Sequence, residues 1–146
     1  MHRFSTEKGQ ASGRATALQL AWRWGPVVAQ MAAIFTASSM TAVPNLPAGL
    51  SNYTGHMIGY GLLGGLAFRA FAGATWAGIT GSGAVRAVLL AAAYGVTDEW
   101  HQRFVANRNS DIHDWFADVG GALLGVLAVL VIARLRRQRN ARTRGV

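Results

Sequence analysis

Polar and ionisable residues occur in this sequence as pairs four residues apart, inside stretches that are otherwise apolar. The pairs are His56 with Tyr60, Asp98 with Gln102, and Asp114 with Asp118, and Glu99 follows Asp98 directly. Residues four apart lie on the same face of a helix. Because imidazole titrates near neutral pH, a histidine beside carboxylates is a typical arrangement for acid–base chemistry. The candidate catalytic residues are therefore His56, Asp98, Glu99 and Asp118.

Five further polar residues near these candidates are predicted to bind a ligand: Tyr60, Gln102, Arg103, Arg108 and Asp114. A guanidinium group binds phosphate or carboxylate through paired hydrogen bonds. The sequence has no serine-centred nucleophile motif and no cysteine. Acid–base or metal-assisted chemistry is therefore favoured over a covalent intermediate. The histidine and the carboxylates form no compact metal-binding motif, so no residue is predicted as a metal ligand, the cofactor is unknown, and whether a metal is bound stays open.

The composition predicts a small integral membrane protein. Of the 146 residues, 51% are hydrophobic and only 14% are charged, against about 25% charged residues in a typical soluble domain. So few charges cannot cover a soluble globule, and so much hydrophobicity excludes a disordered chain. The 18 glycines are typical of closely packed membrane helices. The lack of cysteine excludes disulfides, thiol nucleophiles and zinc–thiolate sites.

Four apolar stretches are predicted to cross the membrane as helices. They cover residues 25–43, 53–72, 83–104 and 114–133. Each is close to the roughly 20 residues that span the hydrocarbon layer as helix. Apolar residues run on continuously instead of alternating, which argues against barrel strands. Pro44 and Pro47 are predicted to end the first span, and the predicted fold is an all-α, four-helix membrane bundle.

The basic residues predict how this bundle is oriented. Twelve of the 14 lysines and arginines lie in residues 1–24, at Arg69 and Arg86 beside the connection between spans two and three, and in residues 134–146. Positively charged segments stay on the cytoplasmic side, so both termini are predicted to be cytoplasmic. The predicted parts are a basic tail (1–24), a four-span domain (25–134) and a second basic tail (135–146). The tails are predicted to contact anionic lipid headgroups, and not nucleic acid.

The polar residues are predicted to lie at one depth in the membrane. Arg69, Arg86 and Arg134 mark the inner interface, and a helix rises about 1.5 Å per residue. The resulting heights are about 20 Å for His56, about 18–20 Å for Asp98 and Glu99, about 24 Å for Gln102 and Asp118, and about 14 Å for Tyr60. All fall inside a hydrocarbon core of about 30 Å. A lone carboxylate is costly there, so a shared polar pocket in the outer half of the membrane is predicted.

Several alternatives remain open for this pocket. The polar groups bind or process an amphiphilic ligand, or they hold a metal ion, or they relay protons. In a further alternative the protein is a structural or assembly protein, and the polar cluster only stabilises the helix bundle. The G-x-x-x-G pairs Gly55–Gly59, Gly61–Gly65 and Gly121–Gly125 predict close helix packing, within one chain or between chains. The oligomeric state therefore stays open.

The segment from Gly95 to Gly121 resembles the VanZ-like family. That family's pattern, G-x-x-D-E-x-x-Q-x-F-x-x-x-R followed by D-x-x-x-D-x-x-G, is matched in order by Gly95, Asp98, Glu99, Gln102, Phe104, Arg108, Asp114, Asp118 and Gly121. Upstream, the family's H-x-x-x-Y-x-x-x-G and a following arginine are matched by His56, Tyr60, Gly64 and Arg69. The resemblance covers about residues 30–130. The family often has Asp-Lys where this chain has Asn52 and Tyr53, so a charge pair at the pocket mouth is missing.

The resemblance implies a multi-pass protein of the bacterial plasma membrane. The family takes its name from a member linked to resistance to teicoplanin, a glycopeptide that acts outside the membrane. A lipid, a lipid-linked molecule or a lipoglycopeptide from the cell envelope is therefore the expected ligand, and a link to glycopeptide resistance is expected. The resemblance specifies neither a reaction nor a cofactor, so whether the protein is an enzyme is left open.

Overall fold

The computed structural model of the chain describes residues 3–41 and 52–144, which contain four α-helices. The helices are α1 (Arg3–Ser38), α2 (Asn52–Phe71), α3 (Gly81–Gln102) and α4 (Ile112–Arg144). No strand occurs in these two described segments. The all-α, four-helix prediction is confirmed, and each helix contains most of one predicted span.

The first and last helices are longer than the predicted spans. α1 begins at Arg3 and continues through Pro26, and α4 continues through the basic carboxyl-terminal segment to Arg144. Alanine, glutamine, leucine and arginine, which are frequent in these extensions, are good helix formers. Hydropathy marks where a helix can enter lipid, but it does not mark where the helix begins or ends. Pro44 and Pro47, predicted to end the first span, lie outside the described residues.

Side-chain caps fix the starts of α3 and α4. The Thr80 hydroxyl accepts a hydrogen bond from the Gly83 backbone N–H at 3.1 Å, and the Asp111 carboxylate accepts one from the His113 N–H at 2.9 Å. Such caps satisfy backbone donors that have no partner within the helix. The Asp111 cap matters for the site, because it sets the position of the first turn of α4.

Glycines bring α2 and α4 into close contact along a seam formed by Gly61, Gly64, Gly121 and Gly125. A Cβ on Gly64 would lie 2.6 Å from the Ala122 carbonyl oxygen, and one on Gly125 would overlap the Gly61 carbonyl. α2 packs most extensively on α4 and less on α3 and α1. The predicted glycine packing therefore occurs within a single chain, as small residues permit.

Most of the described basic side chains lie at one end of the bundle and the described acidic ones lie at the other, together with Arg103 and Arg108. At one end the Arg23 guanidinium donates to the Ala70 carbonyl at 3.1 Å, and Arg69 donates to the Trp22 carbonyl at 3.1 Å, which joins α1 to α2. The acids among the described side chains lie at the other end, where α1 and α3 finish and α2 and α4 begin: Asp98, Glu99, Asp111, Asp114 and Asp118. The fold thus collects the predicted site residues at one end.

One helix of the described chain, Ile112–Thr143, is long and apolar enough to cross a membrane. Only 28% of its most apolar stretch is buried inside the protein, so this helix presents much of its apolar surface outward. The coarser prediction of an all-helical bundle therefore holds, with one helix in the described chain that could span a membrane. That α1, α2 and α3 also cross the bilayer, with both termini in the cytoplasm, stays a prediction.

Candidate functional site

The centre of the polar end is a hydrogen bond between α2 and α4. His56 Nδ1 lies 2.8 Å from Asp118 Oδ1, and His56 Nε2 lies 3.8 Å from Asp114 Oδ2. The i,i+4 spacing of the two aspartates turns both toward the same imidazole, as the sequence predicts. When Nδ1 carries the ring proton, Asp118 fixes the ring orientation and leaves Nε2 free to accept a proton.

The third helix adds its acids to this centre. Gln102 Nε2 donates to Asp98 Oδ2 at 3.3 Å, and the backbone N–H of Asp111 donates to Glu99 Oε2 at 2.8 Å. One ligand atom from each of His56, Glu99 and Asp118 lies within 4.8 Å of the other two. The structure therefore brings the four predicted catalytic residues together from three helices. Their catalytic roles stay predictions.

Burial makes this cluster costly unless its charges are compensated. Asp98, Glu99, Asp114 and Asp118 are 3%, 7%, 4% and 0% exposed. Each has one buried carboxylate oxygen with no hydrogen-bond partner within 3.5 Å among the described residues: Asp98 Oδ1, Glu99 Oε1, Asp114 Oδ1 and Asp118 Oδ2. The buried Tyr60 hydroxyl also has no such partner among them. Buried polar atoms are nearly always paired in proteins, so four such acceptors in one place indicate a site that receives hydrogen-bond donors or a cation.

A cavity of about 270 Å³ adjoins the cluster on the side of α1. Its polar lining includes His56, Tyr60 and Asp98, and its apolar lining includes Ala33 and Ile34. A second cavity, of about 680 Å³, lies against the opposite side of α3 and the start of α4 and is lined by Glu99, Arg103, Trp100 and Trp115, among others. Adjacent acids, Asp98 and Glu99, therefore line two different cavities.

The two predicted ligand-binding arginines are not in equivalent places. The Arg108 side chain lines the smaller cavity, but its guanidinium donates to the carbonyls of Met40 and Ala37 at 3.2 and 3.1 Å. Arg103 is exposed and lies at the larger cavity. Arg108 therefore joins the end of α1 to the turn after α3. Arg103 makes no hydrogen bond with the described residues.

Several residues of the site were not among the predicted ones. Asn52 Nδ2 donates to Asp114 Oδ2 at 2.9 Å, and the Gln30 side chain donates to the Gly59 carbonyl at 3.0 Å and lines the smaller cavity. Asn52 precedes His56 by four residues, so its helical spacing was a usable signal. At the position where the family often has Asp-Lys, this chain therefore keeps a polar contact to α4.

Gly95 of α3 determines how closely α4 approaches. A Cβ at this position would lie 2.9 Å from Asp118 Oδ2 and 3.1 Å from a ring carbon of Trp115. The Trp115 indole N–H donates to the Ala92 carbonyl of α3 at 3.0 Å. The glycine thus lets the carboxylate of Asp118 lie directly against the α3 backbone.

The rim of the cluster is formed by exposed groups around the start of α4. The His113 backbone N–H and its side chain both contact Asp111 Oδ1, and the backbone hydrogen bond is the main reason why the pKa of the Asp111 carboxyl is lowered. Tyr53 OH donates to Asp111 Oδ2 at 3.4 Å, a weak contact. Asp111 is therefore an anionic cap at the rim and lies outside the buried cluster.

Comparison with known protein families identifies the chain. The VanZ/LLP1 family model matches residues 24–134. The chain belongs to the VanZ/LLP1 family. Comparisons with curated proteins and with solved structures give no match. The matched segment contains every predicted site residue, and VanZ/LLP1 is a membrane-associated family with a link to glycopeptide resistance.

Proposed function

We propose that this VanZ/LLP1 chain is a multi-pass protein of the bacterial plasma membrane whose polar cluster binds, and in a stronger form processes, an amphiphilic molecule of the cell envelope. The observation that carries the proposal is the set of buried carboxylates around His56, each with an unpartnered oxygen, beside a cavity with an apolar wall. A cluster needed only for stability would pair its buried acceptors internally.

The distribution of charge and apolar surface supports the membrane setting. Arg69 and His56 are 13 residues apart on α2, so the basic end and the polar cluster are separated by about 20 Å. Between these levels the outward face of α4 is apolar, with Leu123, Leu127 and Val131 about half exposed. By the positive-inside rule the arginine-rich end is cytoplasmic, which places the cluster in the outer half of the bilayer.

The chemistry of the cluster favours a ligand that donates hydrogen bonds. Acceptor oxygens predominate, and the guanidinium of Arg108 is already bonded to backbone carbonyls. Sugar hydroxyls, amides and ammonium groups are suited to such a site, whereas a free phosphate is not. A lipid-linked glycan or a lipoglycopeptide carries these donors next to an acyl chain, and the acyl chain would lie along Ala33 and Ile34 of the cavity wall.

If the site processes this ligand, His56 is the general acid or base. Asp118 holds the ring through Nδ1, so Nε2 is the nitrogen that exchanges a proton with the ligand or with a water molecule. Glu99 and Asp98 stabilise positive charge that develops on the imidazole or on the bound group.

The test compares charge-neutral variants in cells that produce the protein. Glu99→Gln and His56→Gln should abolish protection against teicoplanin at unchanged membrane abundance, because they keep side-chain volume but remove the charge or the imidazole. His113→Gln, a histidine at the exposed rim, should keep full protection. Loss of the Glu99→Gln and His56→Gln proteins from the membrane would instead support the structural or assembly role. Full protection by both at normal abundance would exclude the pocket.

A further inference from the structure

We infer that His56, Glu99 and Asp118 form a binding site for one divalent metal ion of the zinc–manganese class. One atom from each residue lies within 4.8 Å of the others. Zinc binds nitrogen and oxygen ligands at about 2.0–2.2 Å in a tetrahedral arrangement, so two ligands on one ion lie about 3.3–3.6 Å apart. Small side-chain movements therefore suffice to close the three ligands around an ion. Imidazole with carboxylates suits zinc and manganese.

The charge balance of the cluster supports a cation. Four carboxylates, Asp98, Glu99, Asp114 and Asp118, are at least nine-tenths buried. Their only ion-pair partner among the residues with described side chains is His56, and no lysine or arginine nitrogen there comes within 4 Å of them. A buried carboxylate without a compensating positive charge is strongly disfavoured. A divalent ion supplies the charge that the described side chains lack.

The unpartnered oxygens point to the same conclusion independently. Glu99 Oε1 and Asp118 Oδ2 are buried and accept no hydrogen bond from the described residues. The other oxygen of each carboxylate is held, by the Asp111 N–H at 2.8 Å and by His56 at 2.8 Å. Metal ligands are typically oriented by a contact from a group outside the ligand set, as the Asp111 N–H orients Glu99. In each carboxylate one oxygen is therefore held, and the other has no partner within hydrogen-bond distance.

This inference deepens the proposed function and rests on the same polar cluster, but it can fail by itself. Because Asp118 holds His56 Nδ1, His56 would bind the ion through Nε2, so in a metal-loaded site His56 would be a ligand and not the general acid or base. The three protein ligands leave further coordination positions, and a metal at that point would polarise a carbonyl or hydroxyl oxygen of the amphiphile or activate a water molecule. Metal binding needs no knowledge of that ligand. It can therefore be measured on the purified protein before any activity is known.

The experiment uses the full-length protein in lipid nanodiscs, stripped with EDTA, incubated with zinc or manganese salt and desalted. Elemental analysis should find about one ion per chain in the wild type. Glu99→Gln and Asp118→Asn should each retain less than about a tenth of that amount, because each removes one anionic ligand. Two matched controls, His113→Gln at the exposed rim and Glu7→Gln in the first turns of α1, should retain the wild-type amount.

A second measurement uses the wild-type protein alone, so its result does not depend on whether the variants fold. Cobalt added to the stripped wild-type protein should give the visible absorption of a protein-bound ion, and zinc should displace it and raise the thermal midpoint of the wild type. The inference is overturned if the wild type retains no more metal than the Glu99→Gln/Asp118→Asn double variant. Teicoplanin protection by a wild type that binds no metal would leave the proposed function standing without this site.

Discussion

The seam between α2 and α4 has two halves of different composition, called outer and inner here after their proposed orientation in the membrane. In the outer half, His56 meets Asp114 and Asp118, and acceptor atoms remain unpartnered. In the inner half, Gly61 and Gly125 bring the backbones together without any polar side chain between them. The same two helices thus hold a cluster of buried ionisable groups at one end and a close-packed contact at the other.

The cavities beside the two halves differ in the same way. The inner half adjoins a groove of about 540 Å³ with an almost entirely apolar lining, in which Arg69 is the one charged residue. The outer cavity is half that size, at about 270 Å³, but it contains His56 and Asp98. Cavity size therefore does not identify the site: the apolar groove is larger than the cavity beside His56, and the cavity of about 680 Å³ lined by Glu99 is larger than both. The comparison teaches that the glycines of the inner half bring the helices together, whereas the buried ionisable groups, to which we assign the function, lie in the outer half.

The largest expected effect comes from disrupting the glycine seam between α2 and α4. Gly121→Ala places a methyl group against the Met57 backbone, and overpacking of this kind costs about 1–3 kcal/mol. We expect a lower thermal midpoint in detergent and reduced membrane abundance. Gly120→Ala is the matched control, because a Cβ there meets no atom within 4 Å. Equal stability of the Gly121→Ala and Gly120→Ala proteins would contradict the packing role of the seam.

The sequence was sufficient to predict helix number, the glycine seam and the residues of the cluster. The helical spacing of His56, Asp98 and Asp118 carried most of that information, because three buried ionisable groups in apolar segments are stable only together. The contacts of Asn52 with Asp114 and of Arg108 with the end of α1 were not predictable in the same way. They depend on how the helix ends meet, which spacing within a single helix does not specify.

A smaller effect is expected at the junction between α1 and the outer half. Arg108→Gln removes two hydrogen bonds to carbonyls at the end of α1, and we expect it to cost about 1 kcal/mol because the side chain is partly exposed. Arg103→Gln, which removes no recorded hydrogen bond, should leave the thermal midpoint unchanged. If both variants melt like the wild type, Arg108 does not hold α1 against the site.

The smallest effect concerns the rim and depends on pH. Since folding lowers the pKa of Asp111, this carboxylate stabilises the fold above its ordinary pKa, and the stabilisation is lost as the pH falls through the lowered value. Asp111→Asn should therefore lose less stability than the wild type between about pH 6 and about pH 3. Thermal melts across this range test the difference. Parallel curves would show that the cap contributes nothing to the start of α4.

The helix ends and the long terminal helices show where sequence reasoning was least informative. Hydropathy separated a basic tail from the first span near residue 25, yet α1 is continuous from Arg3 to Ser38. Helix propensity does not change where hydropathy changes, and proline is tolerated at Pro26 in the observed helix. The boundary of an apolar segment therefore indicates where the surroundings change from lipid to water. The ends of the helix itself have to be read from the structure.

Cysteine accessibility tests most directly whether the outer half is a water-filled site within the membrane. The chain has no cysteine, so each single-cysteine variant contains one thiol that the reagent can label. Ala33 lines the outer cavity, whereas Ile58 is exposed on α2 within about one helical turn of the same depth. A membrane-impermeant thiol reagent added outside intact cells should label the Ala33→Cys protein and leave the Ile58→Cys protein unlabelled. Equal labelling of both, or labelling of neither, would contradict a hydrated pocket open to the outer leaflet.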